Sequence, residues 1–290
     1  MKKILFALVA LAVAGFFACD KIEGPTRENI SIDTTCHFDA DNSIPFKKTL
    51  IVEFTGHLCG NCPAASVYLN DTIEPRHADS LVIVSVHSGY FAAICTSSTG
   101  ACPGGADNVN FLTDFTCEAG NDWYAYYGIA ANPKGVVDGS VIPSYQSWDA
   151  AITGSLLVAP KVRLKIENTY NDQDRKVRAC IETKFLNDMS EDYKLAVLLT
   201  EDSIVDYQVW YGHSPEYFAD YMHHHVLRTA FNTSLGFPIA SDTTTANSSV
   251  TSGYYITLDP SWNADHCSVV AFVYSTTTKE VIQVEEAPIR

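Results

Sequence analysis

The sequence predicts an α/β domain followed by an all-β, sandwich-like domain, and three features carry that expectation. Two continuous apolar runs, "KTLIVEFTG" and "SLVIVSVHS", flank a segment able to form a helix, Ala64 to His77. Strand, helix and strand at this spacing describe a βαβ unit with a parallel pair. Beyond about Ala159 the texture changes to the alternating runs "KVRLKIENTY", "KVRACIETKF", "KLAVLLTED", "GYYITL", "CSVVAFVYS" and "EVIQVEEA". Turn-prone clusters separate them, as in a β-sandwich.

In chain order, Lys2 and Lys3 precede an unbroken apolar run, Ile4 to Ala18, that stops at Cys19. A charged start, a short apolar middle and a small residue before the break describe a secretory signal. The run is shorter than the roughly 20 residues a bilayer-spanning helix needs. It resembles a bacterial lipoprotein leader, which implies cleavage after residue 18 and lipidation of Cys19. Buried acyl methylenes would then anchor the protein to a membrane without a span. Phe16 and Phe17 are bulkier than the usual residues of such a leader.

Residues 19–45 read as a polar tether, with Cys36 placed to pin its end. Residues 46–158 form the α/β domain, interrupted by a Gly-, Ser- and Thr-rich insertion from Gly89 to Asn121 that holds Cys95, Cys102 and Cys117. "WYAYYGIAANPKGVVDG" then supplies a short helix, a turn at Asn132-Pro133 and a further strand. Residues 159–290 form the β domain, with a Thr/Ser-rich loop from Ser241 to Ser252. Cys180 and Cys267 fall at strand positions where a bridge between sheets could form.

The chain has 290 residues and a formal net charge of −15, with no basic stripe. Such a field repels phosphate backbones and excludes nucleic acid as a natural partner. Of nine cysteines, the eight besides Cys19 are an even set. In an exported chain that suits disulfide pairing, although connectivity is not readable from spacing. Cys36, Cys95, Cys102, Cys117, Cys180 and Cys267 are the candidate structural cysteines.

The remaining pair sits in "TGHLCGNCPAAS". Two cysteines at i and i+3 on a helix start share one face and lie close enough to bond. The helix N-terminus stabilises the thiolate of the first, which makes Cys59 the attacking sulfur and Cys62 its resolving partner. His57 would add positive charge when protonated, and Pro63 suits the first helical turn. "LIVEFTGHLCGNC" is similar to the active-site strand and turn of thioredoxin-fold proteins, so the resemblance implies a thioredoxin-like α/β domain. It further implies that Glu53 handles the resolving cysteine's proton and that Pro133 is the cis-proline packed beside the dithiol. Leu58 stands where the family usually has tryptophan, and Lys134 where threonine commonly follows the proline.

The whole chain resembles the outer-membrane lipoproteins of Bacteroidota named for a twenty-eight-kilodalton member. "YMHHHVLR" and "VVAFVYSTTTKEVIQVEEAPI" carry this likeness in the β domain.

Other constellations are weaker. A zinc site built on Cys59 and Cys62 lacks a second pair of knuckle spacing. The histidines of "MHHHV" point in different directions on any regular element, so they do not converge on one ion. His87 ends its strand near the dithiol and reads as structural. "DYQVWYGHSPEYFADYM" reads as core or domain interface. No phosphate-cradling loop, nucleophile elbow or HExxH occurs.

Two functions remain. The first is a lipid-anchored thiol–disulfide oxidoreductase of the outer membrane, needing no cofactor but needing an extracytoplasmic protein substrate or redox partner. The second is a non-enzymatic surface lipoprotein, an adhesin or accessory subunit, using the same fold as a scaffold.

Overall fold

Strands β1 (Thr49–Thr55) and β2 (Leu81–His87) are parallel neighbours, paired from Thr49 beside Leu81 to Thr55 beside His87. Every residue of both is buried, which is why they read as unbroken apolar runs. The computed structural model describes residues 33–39, 43–94, 110–240 and 243–290. Cys19, Cys95 and Cys102 lie outside these residues.

The crossover from β1 to β2 is broken rather than one helix from 64 to 77. It consists of α1 (Cys62–Tyr68), a π turn (Leu69–Ile73) and α2 (Glu74–His77). Pro75 has no N–H to give the preceding turn, and the chain widens just ahead of it. Helix α3 (Glu118–Tyr126) begins before the expected "WYAYY" stretch, with the Cys117 sulfur accepting from the Gly120 amide at 3.3 Å. Strand β3 (Lys134–Val137) runs antiparallel to β1, and β4 (Ser140–Ile142) folds back on β3. The turn between them, Asp138-Gly139, has positive φ at both residues, 41° and 89°, as a two-residue hairpin requires. A side chain at Gly139 would also overlap the Lys279 carbonyl.

Period-two alternation divides β1 and β2 between two cores. Leu50, Val52, Phe54, Val82, Val84 and Val86 pack with Trp123 and Tyr127 of the α3 region. Ile51 and Ile83 face the other way, onto Ala65 of α1 and Trp148 and Ile152 of α4 (Trp148–Leu156). Helix α4 was not anticipated from sequence, yet fully buried Trp148 closes this core. Its indole fills the space left by the missing side chain of Gly135.

The second half is built from strands, as expected: β5 (Val162–Asn171), β6 (Lys176–Phe185), β7 (Tyr193–Glu201), β8 (Ile204–Val209), β9 (Tyr217–His223), β10 (Val226–Ala230), β11 (Phe237–Ala240), β12 (Ser249–Thr257), β13 (Cys267–Ser275) and β14 (Val281–Pro288). The mixed sheet runs β14-β13-β7-β10-β2-β1-β3-β4, with β11 also on β7. Strands from both sides of residue 158 thus share one sheet, joined where β10 pairs parallel with β2 at Val226 and Ser85. The three-stranded sheet β12-β6-β5 packs through β5 against β13 and β14. Hairpin β8–β9 belongs to neither ladder.

Cys180 of β6 does not bridge to Cys267. It is bonded to Cys36, while Cys267 lies buried on β13 opposite Glu201 as a free thiol. Residue 253, opposite Cys180 on β12, is glycine, and any side chain there would collide with the Cys36 sulfur. Cys117 is also free. Burial pushes the Cys117 thiol up to about 11 and the Cys267 thiol up to about 12, so both are inert at neutral pH. The even cysteine count therefore did not translate into full pairing among the described residues.

Candidate functional site

At the carboxyl ends of β1 and β2 the face that carries Ile51 and Ile83 turns polar. Two residues on, Glu53 sits opposite Ser85, and two further on, Thr55 sits opposite His87. Side chains at i, i+2 and i+4 share a face, so a polar site emerges on the side covered by α1. The chain then leaves β1 through Gly56, His57 and Leu58 into Cys59 and Cys62, which form a disulfide. Cys62 opens α1 with Pro63 behind it. The Cys59 amide donates to the Gly56 carbonyl at 2.9 Å and the Cys62 amide to the Cys59 carbonyl at 3.0 Å.

Glu53 is 1 % exposed. Its carboxylate accepts from Ser66 Oγ at 2.7 Å and, more weakly, from Ser85 Oγ at 3.4 Å. Ser66 lies one turn after Cys62, so this hydroxyl ties the acid to the cysteine helix. Burial raises the Glu53 pKa to about 7, against the opposing effect of the two hydroxyls and His225. Lys134 Nζ donates to the Pro143 carbonyl at 3.3 Å.

The Asn132-Pro133 peptide is cis. Lys134 pairs with Phe54, which puts Pro133 level with Thr55, where β1 gives way to the cysteine loop. Asn132 Nδ2 donates to the Thr55 carbonyl at 2.8 Å and the Ser88 carbonyl at 3.1 Å, clamping the ends of β1 and β2.

His57 does not supply the expected positive charge. It is buried, and Nε2 donates to the Ala93 carbonyl at 3.1 Å. Burial lowers its pKa, so the ring is neutral at neutral pH. His87 and His223 are likewise buried, with ring centroids 5.4 Å apart. Burial and the neighbouring histidines push His87 well down, and burial holds His223 at about 3. His87 Nδ1, His223 Nε2 and Asn70 Oδ1 are buried without a hydrogen-bond partner. His87 and His223 come from strand ends, and with Asn70 they border a small cavity beside Glu53. The cavity has room for roughly one water molecule.

Sequence reasoning missed the groups contributed by hairpin β8–β9. Gln208 Nε2 donates to the Cys59 carbonyl at 3.2 Å, although the two residues are 149 positions apart. Leu58, in the position usual for tryptophan, is fully buried against Phe111 and Val209. The consequence is a disulfide almost closed to solvent, with Cys59 3 % and Cys62 1 % exposed. Among the described residues, the cluster with metal-ligand spacing is Asp33, Cys36 and Cys180, whose two sulfurs are bonded to each other.

A mixed-sheet protein with a bonded CxxC at the carboxyl ends of parallel strands is the class that fold and site define. The chain belongs to the Omp28 family: the family model described as outer membrane protein Omp28 matches residues 120–290, more than half of its length. That match begins within α3, so the cysteine loop lies outside it.

Among solved structures the chain is similar to HBP35 of Porphyromonas gingivalis, with a TM-score of 0.63 and 13% identity over 84% of this chain and 76% of that one. At this identity the likeness concerns the fold. A domain of the outer membrane lipoprotein Omp28 from Porphyromonas gingivalis matches with 23% identity over 45% of this chain and 89% of its own, at a TM-score of 0.31. The E. coli curli protein CsgC matches with 9% identity over 44% and 98%, at 0.22. These two scores are too low to bear on the fold. No curated protein matches the sequence. No described helix is long and apolar enough to cross a membrane.

Proposed function

We propose that this Omp28-family protein is a thiol–disulfide oxidoreductase of the cell envelope, held to the outer membrane by lipid on Cys19. In this reading residues 1–18 are a leader and 19–45 a tether, while a thioredoxin-like part, 46–158, and a β-sandwich part, 159–290, are joined through the shared sheet where β10 meets β2. One observation carries it: Cys59–Cys62 lies at the ends of β1 and β2, with buried Glu53 behind it and cis-Pro133 level with the end of β1.

The chemistry follows from the oxidised pair. A substrate thiolate attacks the Cys59 sulfur, the Cys59–Cys62 bond breaks, and the Cys62 thiolate takes a proton from Glu53. A second substrate thiolate attacks the substrate sulfur of the mixed disulfide and expels Cys59. The substrate leaves as a disulfide and its two electrons remain on the pair. Run in reverse, the same steps reduce a substrate disulfide while Glu53 accepts the Cys62 proton. A pKa near 7 lets Glu53 serve in either direction near neutral pH. A second extracytoplasmic dithiol or disulfide protein restores the starting state.

The near-complete burial of both sulfurs favours the second function, a surface lipoprotein with a retired motif. Cys62→Ser separates the two. It leaves a Cys59 thiol with no resolving partner, so a protein disulfide substrate that Cys59 attacks is expected to accumulate as a mixed disulfide on Cys59, one substrate sulfur leaving as a thiol, visible by intact mass. A variant that folds, remains a free thiol and traps nothing would favour the scaffold.

A further inference from the structure

Residues 202–225 leave the mixed sheet and return to it at the same place. Glu201 ends β7 and Val226 begins β10, and these two residues are direct antiparallel partners. Everything between them is one excursion, hairpin β8–β9 with its stems. Each stem holds a residue in the left-handed region, Ser203 at φ 57° and His225 at φ 53°. Strands β8 and β9 pair with each other and with no other strand among the described residues.

Residues 208–211 of the excursion lie against the cysteine loop and are tied to it by main-chain bonds. The Val209 amide donates to the His57 carbonyl at 2.8 Å, and the Tyr211 amide to the Gly60 carbonyl at 2.9 Å. Two amides of one segment thus donate to carbonyls of the loop, main-chain bonds of the kind an extended peptide can supply. The Tyr211 ring covers Gly60 so closely that a side chain there would overlap it. Gln208 fills in above the Cys59 carbonyl. The same excursion supplies Gln208, Tyr221, His223 and His224 to the wall of the cavity beside Glu53.

We propose that residues 202–225 are a hinged cover that occupies the site of an extended, cysteine-bearing polypeptide, and that such a segment displaces residues 208–211 to reach Cys59. This rests on the oxidoreductase reading and adds its substrate class and its regulation. The buried disulfide is then the closed state of a working site. The substrate is a protein segment able to replace two backbone hydrogen bonds, which a small thiol cannot do.

Because Glu201 and Val226 face each other directly, an Asn-Gly turn can replace residues 202–225. In that variant, reduction of Cys59–Cys62 by dithiothreitol, followed by alkylation and mass spectrometry, is expected to run at least about tenfold faster than in the full chain. Equal rates would overturn the cover. Hydrogen exchange on the unaltered chain makes a second test that needs no deletion. The Val209 and Tyr211 amides are expected to exchange at least about 100-fold faster than those of Val197 and Leu199 in β7. Equal protection would mean that the hairpin opens only with the whole fold, and the hinge is overturned.

Cys62→Ser in both backgrounds, offered a cysteine-containing peptide disulfide, keeps the two ideas apart. Faster adduct formation without the cover supports both. Equal adduct formation sinks the cover and leaves exchange standing. Faster dithiothreitol reduction with no adduct in either background retains the cover and sinks the oxidoreductase.

Discussion

Glu53→Gln is expected to raise the free energy of unfolding by about 3 kcal/mol at pH 8 and to leave it nearly unchanged at pH 4. The carboxyl is buried, and its folded pKa lies at about 7 against an ordinary 4.5. Between these values the native state binds the proton more tightly than the unfolded chain does. Stability therefore falls as pH rises through this window, and the full cost is present above pH 7. Gln keeps the shape and the hydrogen bonds to Ser66 and Ser85 without the charge, so the cost disappears. If Glu53 exchanges a proton with Cys62 as proposed, the same change is expected to slow thiol–disulfide exchange near neutral pH by at least about tenfold. Urea titrations at pH 4, 6 and 8 check the first effect. A stability gain independent of pH would show that the carboxyl is not destabilised by burial.

Replacing both partners of the second disulfide, Cys36→Ser with Cys180→Ser, is expected to cost about 4–5 kcal/mol. The bond spans a sequence separation of 144, so its loss restores a large loop entropy to the unfolded chain. The lost bond also frees the segment that precedes β1. That segment is held besides by Arg178 with Asp33, by Tyr255 Oη to Asp33 at 2.7 Å, and by the Asp33 amide to the Gly253 carbonyl at 2.8 Å. In a lipid-anchored protein this attachment fixes where the tether meets the fold, on the β5-β6-β12 sheet. A loss under about 1 kcal/mol in guanidinium unfolding would mean that these polar contacts, not the disulfide, hold the segment.

The parts of this molecule legible in its sequence are those set by local pattern. Continuous apolar runs marked β1 and β2 because both faces of these strands are covered. The polar interruption at Glu53 stood out for the same reason, since its neighbours Val52 and Phe54 belong to an apolar core. Asn132-Pro133 was visible as a turn, and its link to the cysteine loop came from the family resemblance alone. Helix α4 was not legible, because "SWDAAITGSLL" carries a weak periodicity and owes its place to Trp148 filling the gap at Gly135.

Contacts across great sequence distance left no local trace. Cys36 with Cys180, β10 beside β2, and Gln208 above Cys59 each join segments more than a hundred residues apart. The aromatic run from Asp206 to Met222 did signal a packed surface, but the surface it packs on was hidden. A polar Gln208 and an apolar Val209 buried in succession fit neither a solvent-facing strand nor a simple core strand. They fit a segment wedged between the cysteine loop and its own hairpin partner.

The working state of Cys59 and Cys62 is measured most directly by equilibrating the folded protein against glutathione buffers and counting alkylated Cys59 and Cys62 by mass. Equilibration must be long enough for the cover to open many times. An exchanging pair is expected to titrate reversibly at a potential above about −300 mV, within the range of thiol–disulfide oxidoreductases. A pair that stays oxidised below about −300 mV, in the range of structural disulfides, would contradict the proposed function and leave the motif as a staple in an outer membrane scaffold.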